Sequence, residues 1–339
     1  MEKYYQLREF LGQYDRVLIA YSGGVDSTLV AQVAYGVLGE RAVAVTANSP
    51  SLFPAELEAA KQQAQAIGIP HLIIETREIE DPRYSSNPPD RCYFCKSALY
   101  DKLLPLAAQL NCEVICDGVN ADDLRDYRPG IRAAKERSVV SPLAHLGISK
   151  LEVRAISRWL GLPWWDKPAQ PCLSSRFPYG EAITPQKLER VGKAEYILRQ
   201  FLPEARELRV RSIGDSARIE ISKDLFPLLL ARDVTALTAA LRQLGFTNIS
   251  LDLEGFRSGK LNDVLVRRAQ EPPPKVTMEL SVPSIVCEGC VDTITKAIKN
   301  LDPQAEVTAD LERKTIAVQT TASLDDLRTA ITNTGHTVQ

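Results

Sequence analysis

The chain has 339 residues, 45% of them hydrophobic and 25% charged, with a formal net charge of −2. That length suggests two or three domains, and the near-neutral charge gives no global pull toward nucleic acid or an anionic membrane. The opening "MEKYYQLREF" lacks the basic and apolar regions of a signal peptide, and no apolar run reaches the length of a membrane span, so a cytoplasmic protein is expected.

After a short helix, "RVLIAYSG" predicts a buried strand ending in glycines, and "STLVAQVAYGVLG" a helix closed by Gly39. "AVAVTANS", "PAELEAAKQQAQAIG" and "HLIIETRE" continue as strand, helix and strand. "SALYDKLLPLAAQLN", "EVICDGVNADD" and "SKLEVRAISRWLGL" extend the alternation to about residue 165. Strands alternating with helices of this length imply βαβ units, hence an α/β domain with a parallel sheet over residues 1–175. A helix at "TPQKLERVGKAEYILRQFL", short strands at "RELRVRSIG" and "SARIEISK", a helix at "VTALTAALRQLGF" and a strand at "NISLDLEG" predict a small α+β domain over 176–268. The proline-rich 269–275 reads as a linker. Beyond it, 276–339 predicts a ferredoxin-like βαββαβ module whose last strand is "HTVQ".

The stretch "AYSGGVDS", at the end of the first strand, is a Gly-rich turn opening a helix. Such a turn aims backbone N–H groups and the helix dipole at an anion. Gly23 and Gly24 permit close approach, Ser22 and Ser27 supply hydroxyls, and Asp26 supplies a carboxylate for a magnesium ion. No lysine follows the glycines, so this is no Walker loop. A tight turn with an Asp or Ser cap is the plain structural alternative. "CDGVNADDLRDYRPG" places Gly118, Asn120, Asp122 and Asp123 just past another strand, where open α/β sheets bind ligands; a solvated acidic loop is the alternative.

Seven cysteines, an odd number for a reducing compartment, argue for metal, catalysis or burial rather than disulfides. Cys92 and Cys95 have metal-ligand spacing and precede Lys96, and Cys172 precedes Ser174, Ser175 and Arg176. Cys112 and Cys116 flank a buried strand and read as core. Arg209 and Arg211 share one face of a strand, and the next strand carries Arg218 and Glu220. Paired guanidiniums suit a carboxylate- or phosphate-rich substrate, although a surface charge stripe has the same pattern.

The loop SGGVDS resembles the PP-loop of adenylating ATP pyrophosphatases. With "RCYFCK", "PCLSSR" and the "RVR…ARIE" strand pair in order, residues 15–265 resemble the LarE family of ATP-dependent sulfur transferases. That resemblance implies adenylation of a carboxylate of pyridinium-3,5-biscarboxylic acid mononucleotide, pyrophosphate release, and sulfur insertion toward a nickel-pincer cofactor. Ser22, Gly23, Gly24, Asp26, Ser27, Gly118 and Asp122 would then hold ATP and magnesium. Lys96, Ser174, Arg176, Glu195, Arg209, Arg211, Arg218 and Glu220 would contact the substrate, and Cys172 would handle sulfur. Either Cys172 surrenders its own sulfur and becomes dehydroalanine, or Cys92, Cys95 and Cys172 hold a [4Fe–4S] cluster that carries free sulfide. A zinc site or inert thiols stay open for Cys92 and Cys95, and a structural thiol for Cys172. The resemblance further implies a sulfide donor, a downstream nickel-insertion protein and a homo-oligomer.

The C-terminal stretch "VPSIVCEGCVDTITKAIKNL" resembles the heavy-metal-associated domain, whose two thiolates, here Cys287 and Cys290, take a soft metal ion. Ile285 and Val286 stand where that family usually has methionine. A redox dithiol and a metal-free docking module remain alternatives for this segment. For the whole chain the alternatives are an amide-forming or tRNA-thiolating PP-loop enzyme, or an ATP-regulated metal-binding protein.

Overall fold

The computed structural model describes residues 1–125, 128–265 and 275–339. These form two compact units, Met1–Leu261 and Asn262–Gln339. Apart from Lys275, the expected linker at 269–275 lies outside the described residues.

The first unit begins with helix α1 (Glu2–Gly12), strand β1 (Val17–Ala20), α2 (Val25–Leu38), β2 (Ala42–Asn48), α3 (Pro54–Ile67) and β3 (His71–Glu75). The short α4 (Pro82–Ser85) and the long α5 (Arg91–Gln109) lead to β4 (Val114–Cys116). The sheet runs β3-β2-β1-β4 with every pair parallel. Val17, Leu18 and Ile19 are fully buried, as a central strand covered on both faces requires. Cys116 is buried and Cys112 packs half-buried against the core, as expected for both.

Helices α6 (Pro129–Glu136), α7 (Pro142–His145) and α8 (Lys150–Trp159) follow. A capping box starts α8: the Ser149 hydroxyl accepts from the Glu152 N–H while Glu152 accepts from the Ser149 N–H. Next come α9 (Pro185–Phe201), β5 (Leu208–Ile213), β6 (Ser216–Ile221), α10 (Phe226–Ala231), α11 (Thr235–Gln243) and β7 (Asn248–Leu251). Thr184 caps α9 and Pro185 fills its first position, where the absent N–H costs nothing. β5 and β6 are antiparallel, β6 and β7 parallel. A second apolar core, from Leu188, Val191 and Leu198 of α9 to Leu208, Val210 and Ile219, lies against this sheet.

A charged pair is buried in that core. Arg176 and Glu195 are both 0% exposed, and Nε and Nη2 of the arginine donate to the two carboxylate oxygens at 2.7 and 2.9 Å. Glu195 also accepts from the Val210 N–H at 3.0 Å.

The second unit holds β8 (Val276–Ser281), α12 (Glu288–Leu301), β9 (Glu306–Asp310), β10 (Thr315–Thr320) and α13 (Leu324–Thr332). Its sheet has three antiparallel strands in the order β8-β10-β9, over a core of Ile294, Ile298, Ile316, Val318, Leu327 and Ile331. The expected sixth element, "HTVQ", does not form a strand: the Gln339 N–H reaches the Ser281 carbonyl at 2.9 Å, but the Thr337 N–H goes to the Ser284 hydroxyl instead. With that donor diverted, no ladder propagates.

Removing one half of a buried ion pair strands the other, which costs about 3–5 kcal/mol. Glu195→Ala is therefore expected to lower the urea midpoint by that equivalent. Arg211→Ala should cost visibly less in the same titration, because Glu220 keeps its second partner, Arg218.

Candidate active site

All four parallel strands deliver functional groups at their carboxyl ends. The turn after β1 carries Ser22–Ser27, and Gly23 adopts φ +67°. A Cβ there would lie 2.8 Å from the Ala60 Cβ, so both the backbone angle and α3 demand glycine. Gly24 caps α2, and the Ser22 and Ser27 hydroxyls sit 3.1 Å apart across the turn. Loop, helix N-terminus and hydroxyls together form a cradle for a polyphosphate.

The loop after β4 meets this cradle directly. A Cβ on Gly118 would stand 2.6 Å from the Ser27 nitrogen. Asn120 donates to Asp26 at 3.2 Å, and its own side-chain oxygen accepts from the Asp122 and Asp123 N–H groups. Burial raises the Asp123 carboxyl, with the nearby Asp26 charge adding to the effect. The structure thus brings Ser22, Gly23, Gly24, Asp26, Ser27, Gly118 and Asp122 into one place. Carboxylates beside a phosphate cradle are the hard oxygen donors magnesium takes.

Two lysines there are absent from the sequence reading. Lys150, at the first position of α8, forms an ion pair with Asp26, and its N–H donates to Asp122 at 2.9 Å. Lys167 binds the Gly23 carbonyl at 3.0 Å and Glu56 at 2.7 Å. The capping box announces where α8 begins. Nothing local says that its first lysine meets a residue 124 positions away.

The thiols form a second group. Cys92 and Cys95 occupy the first turn of α5, and Cys172 immediately precedes a 3₁₀ turn at Leu173–Arg176. Cys92 is open to solvent, and Cys95 and Cys172 are partly exposed. Burial pushes both Cys92 and Cys95 up, and the other thiols push further: Cys172 acts on both, and Glu78 acts on Cys95. The three sulfurs therefore share one electrostatic neighbourhood. Among the described residues, no three His, Cys, Asp or Glu side chains converge at metal-binding distance. Lys96, one residue beyond Cys95, faces the Tyr100 ring at 5.7 Å, and it is raised by Tyr100 and Asp117 despite burial.

Three further residues hold this region without having been singled out in the sequence. Tyr84 is buried with its hydroxyl 2.5 Å from the Ser174 hydroxyl. Glu78 is buried and accepts from Ser51 at 3.3 Å, leaving one carboxylate oxygen unpartnered. Arg91 is buried and donates to the Ser174 carbonyl at 3.0 Å.

The arginines divide. Arg176 turns inward to Glu195, and its Nη1 donates to the Pro171 and Cys172 carbonyls at 2.8 and 3.2 Å, so it sets the backbone of the Cys172 loop. Arg211 pairs with Glu220 at 3.0 Å and reaches the Ser175 carbonyl at 2.5 Å. Arg218 lies directly across from Arg211 in the β5–β6 register, with Glu220 contacting both. Arg209 donates to the Leu208 and Ala169 carbonyls and covers the Phe256 ring. Burial, then repulsion from Arg176, depresses it to about 10. An arginine held in that state favours any anion that replaces its lost hydration.

In the second unit, Cys287 caps α12 and Cys290 lies one turn in, with the sulfurs 3.4 Å apart. A hydrogen bond with His336, then the Val286 backbone, lowers Cys290 to about 6, and Thr334 fixes the imidazole through a 2.9 Å contact at Nδ1. Ile285 is core, whereas Val286 is 76% exposed beside the thiols.

A heavy-metal-associated domain model matches residues 279–337. The chain is 60% identical to an uncharacterized protein of Synechocystis sp., over 77% of this chain and 97% of that one. It is 37% identical to the pyridinium-3,5-bisthiocarboxylic acid mononucleotide synthase of Lactiplantibacillus plantarum, over 76% of this chain and 92% of that one. A glutamine-hydrolyzing GMP synthase of Chlamydia muridarum is 24% identical over 71% of this chain and 48% of its own length.

Two outcomes follow from the geometry. Gly118→Ala forces a methyl against the Ser27 backbone and should weaken ATP binding at least tenfold by calorimetry while the fold persists. Cys290 alkylation should titrate near pH 6 in the native chain, and His336→Asn should move that midpoint upward.

Proposed function

The chain belongs to the LarE family of ATP-dependent sulfur transferases, and from that membership we propose that it adenylates a carboxylate of pyridinium-3,5-biscarboxylic acid mononucleotide and exchanges the activated oxygen for sulfur. The observation that carries this reading is the pairing of two features in one unit. One is a glycine–serine cradle beside the Asp26, Asp122 and Asp123 carboxylates. The other is a group of three thiols close enough to act on one another electrostatically. In this reading Ser22, Gly23, Gly24 and Ser27 hold the departing pyrophosphate. Asp26 and Asp122 hold its magnesium. A carboxylate oxygen attacks the α-phosphorus, the bond from that phosphorus to the α–β bridging oxygen breaks, and an acyl-adenylate and intact pyrophosphate result. Arg209, Arg211 and Arg218 receive the substrate's anionic groups. Arg176 and Glu195, having no exposed surface, act by holding the Cys172 loop.

Sulfur then displaces AMP at the acyl carbon. Three soft thiols are the ligand class that an iron–sulfur cluster takes, and Cys92, Cys95 and Cys172 would hold it once their sulfurs draw closer than the separation found here. When bound, a three-thiolate cluster supplies one iron able to carry exogenous sulfide. Lys96, beside Cys95, is placed to balance the charge that develops. The C-terminal domain is assigned to a soft metal ion through Cys287 and Cys290, where the low Cys290 value favours thiolate ligation at neutral pH.

The deciding measurement is product and peptide mass after anaerobic turnover with ATP, magnesium, sulfide and the pyridinium mononucleotide. Thiocarboxylate in excess of one equivalent, with Cys172 intact, is expected. Dehydroalanine at Cys172 would overturn the cluster assignment in favour of a sacrificial cysteine, and absence of any thiocarboxylate would overturn the substrate. Cys172→Ala should retain substrate-dependent ATP–pyrophosphate exchange and lose the sulfur product.

A further inference from the structure

Arg91 opens α5, one residue ahead of Cys92, and is 3% exposed. Its Nη1 donates to the Asn87 side-chain oxygen and to the Ser174 carbonyl, both neutral acceptors. The ionisable groups that act on the guanidinium are Cys172, Cys92, Tyr84 and Tyr179. Among the described residues, no Asp or Glu stands in an ion pair with it, whereas Arg176 has Glu195 and Arg211 has Glu220. A guanidinium taken out of water without a carboxylate is costly unless an anion joins it. The groups around it are mostly sulfur and phenol. Nη1 is already committed to two oxygens, which leaves the Nε and Nη2 donors for a ligand. What remains suits one small, weakly hydrated anion.

We propose that Arg91 is the fixed cation of the group of three thiols and binds a hydrosulfide-like sulfur anion beside Cys92 and Cys172. This rests on the sulfur-transfer reading and names the residue that receives the incoming sulfur. No bond is made or broken at Arg91. The anion waits within reach of the thiols, and the contact to the Ser174 carbonyl ties its position to the loop that carries Cys172.

The test uses the full chain without added metal and compares alkylation by anionic iodoacetate with alkylation by neutral iodoacetamide, read at Cys92 and Cys172 by peptide mass spectrometry. Both reagents attack through the same thiolate, so the ratio of their rates cancels thiolate population and reports the pull on an anion. In the native chain the ratio is expected to exceed that of N-acetylcysteine. Arg91→Gln should lower it about fivefold, the effect of one charge some 4 Å away at water-like dielectric. Arg91→Lys should keep most of it. Thiocyanate, an unreactive sulfur anion, should suppress the iodoacetate rate more than chloride does, and only while Arg91 is present. An unchanged ratio in Arg91→Gln overturns the proposal, and equal suppression by chloride overturns its preference for sulfur. If Arg91→Gln does not fold, a native ratio no higher than that of N-acetylcysteine overturns it equally. No ATP or mononucleotide is present, so this experiment and thiocarboxylate formation can fail independently.

Discussion

The Arg176–Glu195 pair is the contact on which the thiol-bearing region depends. One carboxylate joins three pieces of chain: the Cys172 loop through the guanidinium, helix α9 through its own backbone, and strand β5 through the Val210 N–H. The same guanidinium fixes the carbonyls of Pro171 and Cys172. Leu173 and Phe177 anchor the loop in the apolar core, but its polar backbone between them needs partners of its own. A charged pair sealed under the core supplies them, and its desolvation cost is offset by the paired carboxylate and by further bonds to Pro171, Cys172 and the Val210 N–H. The backbone around Cys172 therefore rests on an interaction with no exposed surface.

At the other end of the site the constraint is backbone against backbone. The parallel sheet sends all its carboxyl ends to one edge, and two consecutive turns on that edge, after β1 and after β4, are pressed together at Ser27 and Gly118. Lys150 and Lys167 then cross from the later part of the unit to Asp26 and Gly23. Cations at the mouth of an anion cradle lower the cost of assembling a polyphosphate and its metal there. A formal net charge of −2 says nothing of this, because the relevant charges are arranged locally.

Much of this was legible before any coordinates. The spacing of apolar runs gave the alternation of strands and helices, and the position of "AYSGGVDS" at the end of the first strand placed the cradle on the correct edge. What escaped was of one kind. Arg176 and Glu195 are expected from sequence to contact substrate, whereas they are sealed against each other, because burial of a charge depends on a partner 19 positions away. Arg91 looks like an ordinary helix-start residue, and Lys150 like the solvated flank of a capping box. The terminal "HTVQ" has strand composition, but the Ser284 hydroxyl takes the donor that a ladder would need. Local pattern reports propensity and period; it carries no information on which distant group claims a given hydrogen-bonding site.

The close approach of Gly118 to Ser27 has a thermodynamic side. Two loops in van der Waals contact at their backbones cannot fluctuate separately, so the conformational entropy of both is surrendered once, when the chain folds. A nucleotide arriving at that edge meets an already ordered surface and owes nothing further for arranging it. More of its intrinsic binding energy is then left to hold the pyrophosphate as it departs, which is where a reaction that discards pyrophosphate has use for it.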